Sequence, residues 1–327
     1  MERKSNQPKT LQEAVVFYSD PNNALAYMTV LRWPDGVVVC PTCGRNDVMF
    51  LHNQRKWQCK AVHPKRQFSA KVGTIFEDSP IPLEKWLVVV WMISNCRNGV
   101  SSYEVARSIG VTQKSAWFML HRIRLGLQSE LVAKLGGNRG PVEADETFIG
   151  GRVKNMHADK KVRYNKRGGA FGKTIVMGFL DRDAREVRAK VIPNVKRETL
   201  QAEVMANVDK KAKLYTDNAP AYDGLRARFV HEVVDHVQTY VRGQVHTNGI
   251  ENFWSLLKRT LSGTYVAVEP YHLDRYLDEQ MFRFNNRKDG RRKVADSERF
   301  DIAMSRVLGK RLTYTELTGK VGETTPF

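Results

Sequence analysis

The sequence predicts an α+β multidomain protein on three observations. Two short ligand pairs, Cys40 with Cys43 and Cys59 with His63, stand a hairpin's length apart near the N-terminus. A block of helical apolar periodicity follows and ends at a glycine-rich stretch, KLGGNRGPVE, with a domain boundary near residue 138. Beyond it, strand-like segments alternate with helical ones. The division that results is an N-terminal segment and zinc ribbon over 1–79, a helical region over 80–135, a mixed-sheet domain over 138–290 and a basic C-terminal extension over 291–327.

Composition narrows the class of partner. Lysine and arginine number 53 against 35 acidic residues, a formal charge of +18 on 327 residues. That excess points to a polyanion, nucleic acid ahead of an anionic membrane. The apolar run WLVVVWMI is far shorter than the ~20 residues that span a bilayer. The segment MERKSNQPKT has no apolar stretch after its charges, so no signal peptide is read. The expectation is a cytoplasmic protein, with no membrane partner, whose cysteines stay reduced.

The ribbon is read from ligand spacing. Cys40 and Cys43 form C-x2-C, and Cys59 and His63 form C-x3-H, with the short strands DVMFLHN and RKWQCK between and around them. Three thiolates and an imidazole suit one tetrahedral zinc ion, and four protein ligands make it structural rather than catalytic. His63 is the least secure of the four. Cys96, inside an apolar helix, reads as a small core residue.

The helical region begins at PLEKWLVVVWMISNC, apolar on most sides and so predicted to be buried. Ser101 or Ser102 can cap the next helix, with Val105, Ala106 and Ile109 inward, and Gly110 allows a sharp turn. A further helix starts near Thr112 with Ala116, Trp117, Leu120 and Ile123 inward. Two readings are open: a helix-turn-helix presenting Gln113 and Lys114 to DNA, or a plain helical hairpin with a solvated face.

In the third region, PVEADETFIGG, KTIVMGFLDRD and REVRAKVIP read as three strands, the last two joined by a turn near Asp183 and Ala184. KRETLQAEVMANV reads as a helix, and AKLYTDNAPAY and FVHEVVDH as further strands, giving a mixed sheet covered by helices. Asp145 lies in the first strand, Asp217 at the end of a later one, and Glu251 in the helix of HTNGIENFWSLLKR. Such a trio can hold two divalent cations for phosphoryl transfer, and magnesium, or manganese, suits carboxylate oxygens. Glu143 shares a strand face with Asp145, whereas Glu146 points to the other and is a poor co-ligand. Asp181, Asp183 and Asp223 also compete. No Walker-type phosphate loop is present.

These motifs together, CPTCG, FSAKVGTIFEDSPIPLEKW, DETFIGG, YTDNAPAY and HTNGIENFWSLLKR, resemble the DDE-class insertion-sequence transposases of the ISXO-type group, with an N-terminal zinc ribbon. The resemblance covers most of the chain from Cys40 to about Arg287. It implies a ribonuclease-H-like catalytic domain, a catalytic triad of Asp145, Asp217 and Glu251, and a basic partner at Lys258. It also implies cleavage at element ends, joining of 3' hydroxyls to target DNA, and a homodimer or larger assembly on DNA. Some relatives place asparagine or histidine in the third ligand role, so Asn248 stands as the alternative to Glu251, with His246 also nearby. As the ligand, Glu251 would leave Asn248 to cap the helix or touch DNA.

Residues 152–173 carry eight lysines and arginines against one acid. Placed just after the first acidic strand, this run, with Lys160, Lys161, Arg163, Lys166 and Arg167, is predicted to be a mobile loop that contacts DNA. A second basic run, FNNRKDGRRKV, follows a long helix whose aromatics read as core. Two other functions remain open at this level, a DNA-binding regulator without catalysis and a metal-dependent nuclease without strand transfer.

Overall fold

The computed structural model describes residues 7–129, 133–137, 140–150, 172–234 and 246–319. In chain order its main elements are α1 (Leu11–Tyr18), α2 (Pro21–Arg32), β1 (Val48–Leu51), β2 (Lys56–Cys59), β3 (Gln67–Phe68), α3 (Leu83–Asn95), α4 (Ser102–Ile109) and α5 (Gln113–Leu127). There follow β4 (Val142–Ile149), β5 (Thr174–Asp181), β6 (Glu186–Ile192), α6 (Arg197–Asn207), β7 (Lys213–Asp217) and β8 (Val230–Val234). The remainder comprises α7 (Asn248–Thr260), α8 (Leu273–Asn285), β9 (Lys288–Asp289), β10 (Arg292–Lys293), α9 (Asp296–Ser305) and α10 (Tyr314–Leu317).

The chain forms two compact units, Met1–Gln128 together with Lys293–Phe327, and Ser129–Arg292. This grouping corrects the four-part division in one respect: the C-terminal segment is not a separate extension. Its helix α9 packs on α3, where Phe300 meets Trp91 at 5.1 Å between ring centroids, and Arg299 bonds Asn95 Oδ1 at 2.7 Å. Apolar residues of α9 complete the burial of a helix too hydrophobic to have a wet face, since Trp86, Leu87, Val89, Val90, Trp91 and Ile93 are all inside.

Two helices precede the ribbon. Thr10 caps α1 by accepting from Glu13 N, and Asp20 caps α2 with Pro21 in its first turn. Asp-Pro at a helix entry is a start signal that the sequence carries plainly. The ribbon is a three-stranded antiparallel sheet in order β1-β2-β3. Its small core is aromatic, with Trp57 stacked on Phe68 at 6.0 Å and edge-on to Trp33 at 5.2 Å. Ser101 caps α4, Gly110 ends it at φ +63°, and Thr112 caps α5. Only a residue tolerant of positive φ turns the chain this tightly.

In the second unit, five strands lie in the order β6-β5-β4-β7-β8. The first three are antiparallel neighbours, and β7 and β8 add in parallel to the β4 edge. Strand alternation gives the sheet two buried faces. Val142, Ala144, Met177, Phe179 and Leu214 pack under α6, and Val176, Leu180 and Val187 pack under α7 and α8. Among the described residues no helix is long and apolar enough to cross a membrane.

Candidate active site and metal centres

The site follows from how β4 meets its neighbours. Asp145 faces α7, and its partner across the β4–β5 ladder is Gly178. A Cβ on Gly178 would stand 2.5 Å from the Trp254 ring, so glycine here lets α7 lie close on the sheet. The indole N–H of Trp254 then donates to Asp145 Oδ2 at 2.9 Å. Trp254 is 4% exposed, so it is the core anchor that the sequence indicates and also a polar contact that it does not. A buried tryptophan needs an acceptor, and that rule was the available signal.

The N-terminus of α7 is fixed by Glu143. This carboxylate is 1% exposed and accepts from Ile250 N at 2.8 Å, satisfying a first-turn donor of the helix from another strand. Its other oxygen pairs with Arg182 Nε at 2.5 Å. Arg182 also donates to His246 O at 2.6 Å, bonds His246 Nδ1 at 2.7 Å and lies 4.9 Å over the Tyr215 ring. Gly249 permits the approach, because a Cβ there would meet Leu180 at 2.4 Å and Glu143 at 2.8 Å. Thr247 stands at the N-cap position, and its hydroxyl donates to Glu251 Oε1 at 2.9 Å. The cap position expected of Asn248 thus belongs to Thr247, because the chain turns helical one residue later.

An open pocket of about 430 Å³ is lined by Asp145, Glu146, Thr147, Glu251, Trp254, Ser255 and Lys258. Asp217, at the end of β7, is near enough that its charge and that of Glu251 both act on Asp145. Burial first, then these two charges, push the Asp145 carboxyl up to about 6. Asp217, Asn248 and His246 are not among the lining residues.

Glu146 lies beside the same pocket. Strand parity does turn it away from Asp145, toward the α6 side, where the Tyr222 hydroxyl donates to it. But β4 pairs with β7 only at Val142 and Glu143, leaving an open edge beyond. From that edge Glu146 lines the pocket, and burial, followed by the charges of Asp145 and Asp217, pushes it up to about 7. Alternation along a strand describes side chains within a paired sheet; it does not confine one at a frayed edge.

Crowding that raises the affinity of Asp145 and Glu146 for protons is of a kind that a nearby cation would relieve. Among the described residues no three acidic side chains gather their ligand atoms within 4.8 Å. The Trp254 hydrogen bond occupies one Asp145 oxygen and leaves the other.

Among the described residues, Cys40, Cys43, Cys59 and His63 form the one group of such side chains whose ligand atoms all lie within 4.8 Å of each other. His63 turns its Nε2 to the cluster, 3.5 Å from Cys40 Sγ, while Nδ1 sits 2.7 Å from Pro64 O. A backbone carbonyl on one ring nitrogen fixes the tautomer that ligates through the other. The donor set suits zinc.

The nucleic-acid candidates on α5 are engaged within the fold. Gln113 Nε2 donates to Ser102 Oγ at 2.8 Å, tying α5 to α4, and Lys114 Nζ lies 4.8 Å over the Tyr314 ring. Lys160, Lys161, Arg163, Lys166 and Arg167 lie outside the described residues.

Comparison with known proteins gives matches over both regions. Residues 136–285 match the ISXO2-like transposase domain, and residues 19–61 match the transposase zinc-ribbon domain. An uncharacterised protein in transposable element ISH50 of Halobacterium salinarum (strain ATCC 700922 / JCM 11081 / NRC-1) is 30% identical over 245 residues, 71% of this chain and 80% of that protein. Among solved structures, the catalytic core domain of BIV integrase is 15% identical with a TM-score of 0.31, covering 50% of this chain and 94% of that one. A simian T-cell lymphotropic virus intasome, in complex with PP2A regulatory subunit B56 gamma, is 12% identical with a TM-score of 0.31, covering 65% of this chain and 74% of that one.

Proposed function

This chain belongs to the ISXO2-like insertion-sequence transposases, and we propose that it cuts its element's ends and joins them to target DNA at Asp145, Asp217 and Glu251. It is a DNA transposase and a metal-dependent enzyme. The observation that supports the assignment of residues is the pocket beside Trp254, which β4 lines with Asp145 and α7 with Glu251 and Lys258, while Asp217 at the end of β7 is close enough for its charge to act on Asp145.

In the first step a water oxygen attacks phosphorus and the bond to the 3' oxygen breaks, leaving a 3' hydroxyl on the element and a phosphate on the flank. In the second, that 3' oxygen attacks a target phosphodiester and displaces the target's 3' oxygen. Two Mg2+ or Mn2+ ions held by the three carboxylates would supply the Lewis acidity for attacking and leaving oxygens. The protein's own work is positional. Trp254 orients Asp145, Thr247 holds Glu251, and Lys258, on the same helix and lining the same pocket, offers a cation to phosphate oxygens. Neither step needs a covalent enzyme intermediate.

The first unit would read the terminal repeats through its zinc ribbon and the α4–α5 pair acting as a helix-turn-helix. Because Gln113 and Lys114 have partners inside the fold, base contact by them requires those bonds to exchange on DNA. Arg287, Lys288, Arg291 and Arg292 are exposed, as phosphate contacts must be. Pairing two ends implies at least a dimer on DNA.

Labelled element ends incubated with the protein, magnesium and supercoiled plasmid are expected to give joined products. Nicking without joining would instead make the protein a nuclease, and binding with neither would make it a regulator. One zinc per chain is also expected. Its removal by a chelator should loosen the ribbon and red-shift the fluorescence of Trp33 and Trp57, buried beside the site. A chain free of zinc with the same emission spectrum would refute the Cys3His centre.

A further inference from the structure

Asp145 and Asp217 occupy equivalent positions on parallel neighbours, yet the strand ladder does not reach them. It ends at Val142 with Leu214 and Glu143 with Tyr215, two residues short of each aspartate. Something else must set the gap between two like charges on strands free to splay.

One side-chain link spans it further out. Glu146, next to Asp145, accepts from the hydroxyl of Tyr222, the last residue of the 3-10 turn Pro220–Tyr222 that follows Asp217. Tyr222 is 1% exposed and its ring belongs to the core under α6, so packing holds its hydroxyl in place. The path from Asp217 to Tyr222 is short and shaped. Ala219 N donates to Asp217 Oδ1 at 3.2 Å, and Pro220 opens the turn. The link therefore joins the two aspartate-bearing strand ends through groups that are each anchored to their own strand.

We propose that Glu146 and Tyr222 form a clamp that sets the separation of Asp145 and Asp217, making both positioning residues for the cation site. The proposal rests on the assignment of those aspartates as metal ligands. Magnesium demands near-ideal octahedral geometry at about 2.1 Å, whereas calcium accepts longer and less regular coordination. A change in aspartate separation should therefore act on the two ions unequally, which a loss of ligand charge or of folded protein would not do.

The test is calorimetric titration of the full chain with Mg2+ and, separately, Ca2+. Tyr222→Phe keeps the ring that fills the core and removes the link; it is expected to weaken Mg2+ binding about tenfold and Ca2+ binding less than about threefold. Glu146→Gln keeps a carbonyl acceptor for Tyr222 and removes only a charge beside the site, so it should weaken Mg2+ and Ca2+ by the same factor, while Glu146→Ala, like Tyr222→Phe, should weaken Mg2+ the more. Three results would overturn the clamp: unchanged Mg2+ affinity in Tyr222→Phe, equal loss of both ions in it, or a preference for Ca2+ in Glu146→Gln as strong as in Glu146→Ala. Asp217→Asn separates the clamp from the assignment beneath it. Mg2+ binding lost in Asp217→Asn but intact in Tyr222→Phe defeats the clamp alone; Mg2+ binding intact in Asp217→Asn defeats both.

Discussion

Asp217→Asn is expected to abolish cleavage at element ends, by on the order of a thousandfold or more, and to leave the fold intact. The side chain supplies charge to the cation site, and losing several kcal/mol of transition-state stabilisation costs about a factor of ten per 1.4 kcal/mol. Stability should not fall. Asn keeps an oxygen for the Ala219 N–H, and removal of the charge relieves Asp145 and Glu146, both of which it pushes toward protonation. A gel assay of cleavage beside a thermal melt makes the comparison. Cleavage retained within tenfold would remove Asp217 from the site, and a collapsed melt would make its role structural.

Glu143→Ala has the largest expected effect on stability. Removing this carboxylate strips Arg182 of a buried partner and leaves the Ile250 N–H of α7 without its acceptor. Breaking a buried pair from one side costs about 3–5 kcal/mol, against nearly nothing for exposed pairs such as Arg107 with Glu104. For a unit of this size that is a fall of roughly 10 °C in melting temperature. Activity should drop with it, since α7 carries Glu251 and Lys258 and its N-terminus would no longer be tied to β4. Calorimetry that finds the variant within about 2 °C of the parent would show that Arg182 and α7 are held by other contacts.

Much of this arrangement was legible in the sequence. The three antiparallel strands, the turn at Asp183 and Ala184, the crossover helix and the strand ending at Asp217 stand where their alternation puts them, because a sheet buried on both faces leaves little latitude in period or length. The ribbon was legible because metal spacing is a strict code. The helices α1 and α2 were missed although Thr10 and Asp20 mark their starts. Their cores are thin, with Ala14 and Tyr18 the buried residues of α1 and Ala24 and Met28 those of α2, so periodicity is faint.

The site shows where sequence reasoning stops. Asp145, Asp217 and Glu251 were singled out because acids in apolar elements are conspicuous. Glu143 was weighed as a ligand, but its role as cap to α7 depends on Gly178 and Gly249 letting that helix approach, and no local pattern reports a tertiary approach. Glu146 was set aside by parity, which does turn it from Asp145, yet the open edge where β7 leaves β4 lets it line the pocket. Gln113 and Lys114 were read as outward groups, yet one bonds α4 and the other lies on Tyr314, distant in sequence. In each case the deciding neighbour arrives from elsewhere in the chain.

The assignment of the three carboxylates is tested most directly by diffraction from crystals soaked in Mn2+, with data collected for its anomalous signal. The account predicts manganese between Asp145 and Asp217, with Glu251 ligating in the same pocket at about 2.1 Å. Manganese bound through Asn248 in place of Glu251, or absent from this pocket while the protein cleaves DNA, would contradict it.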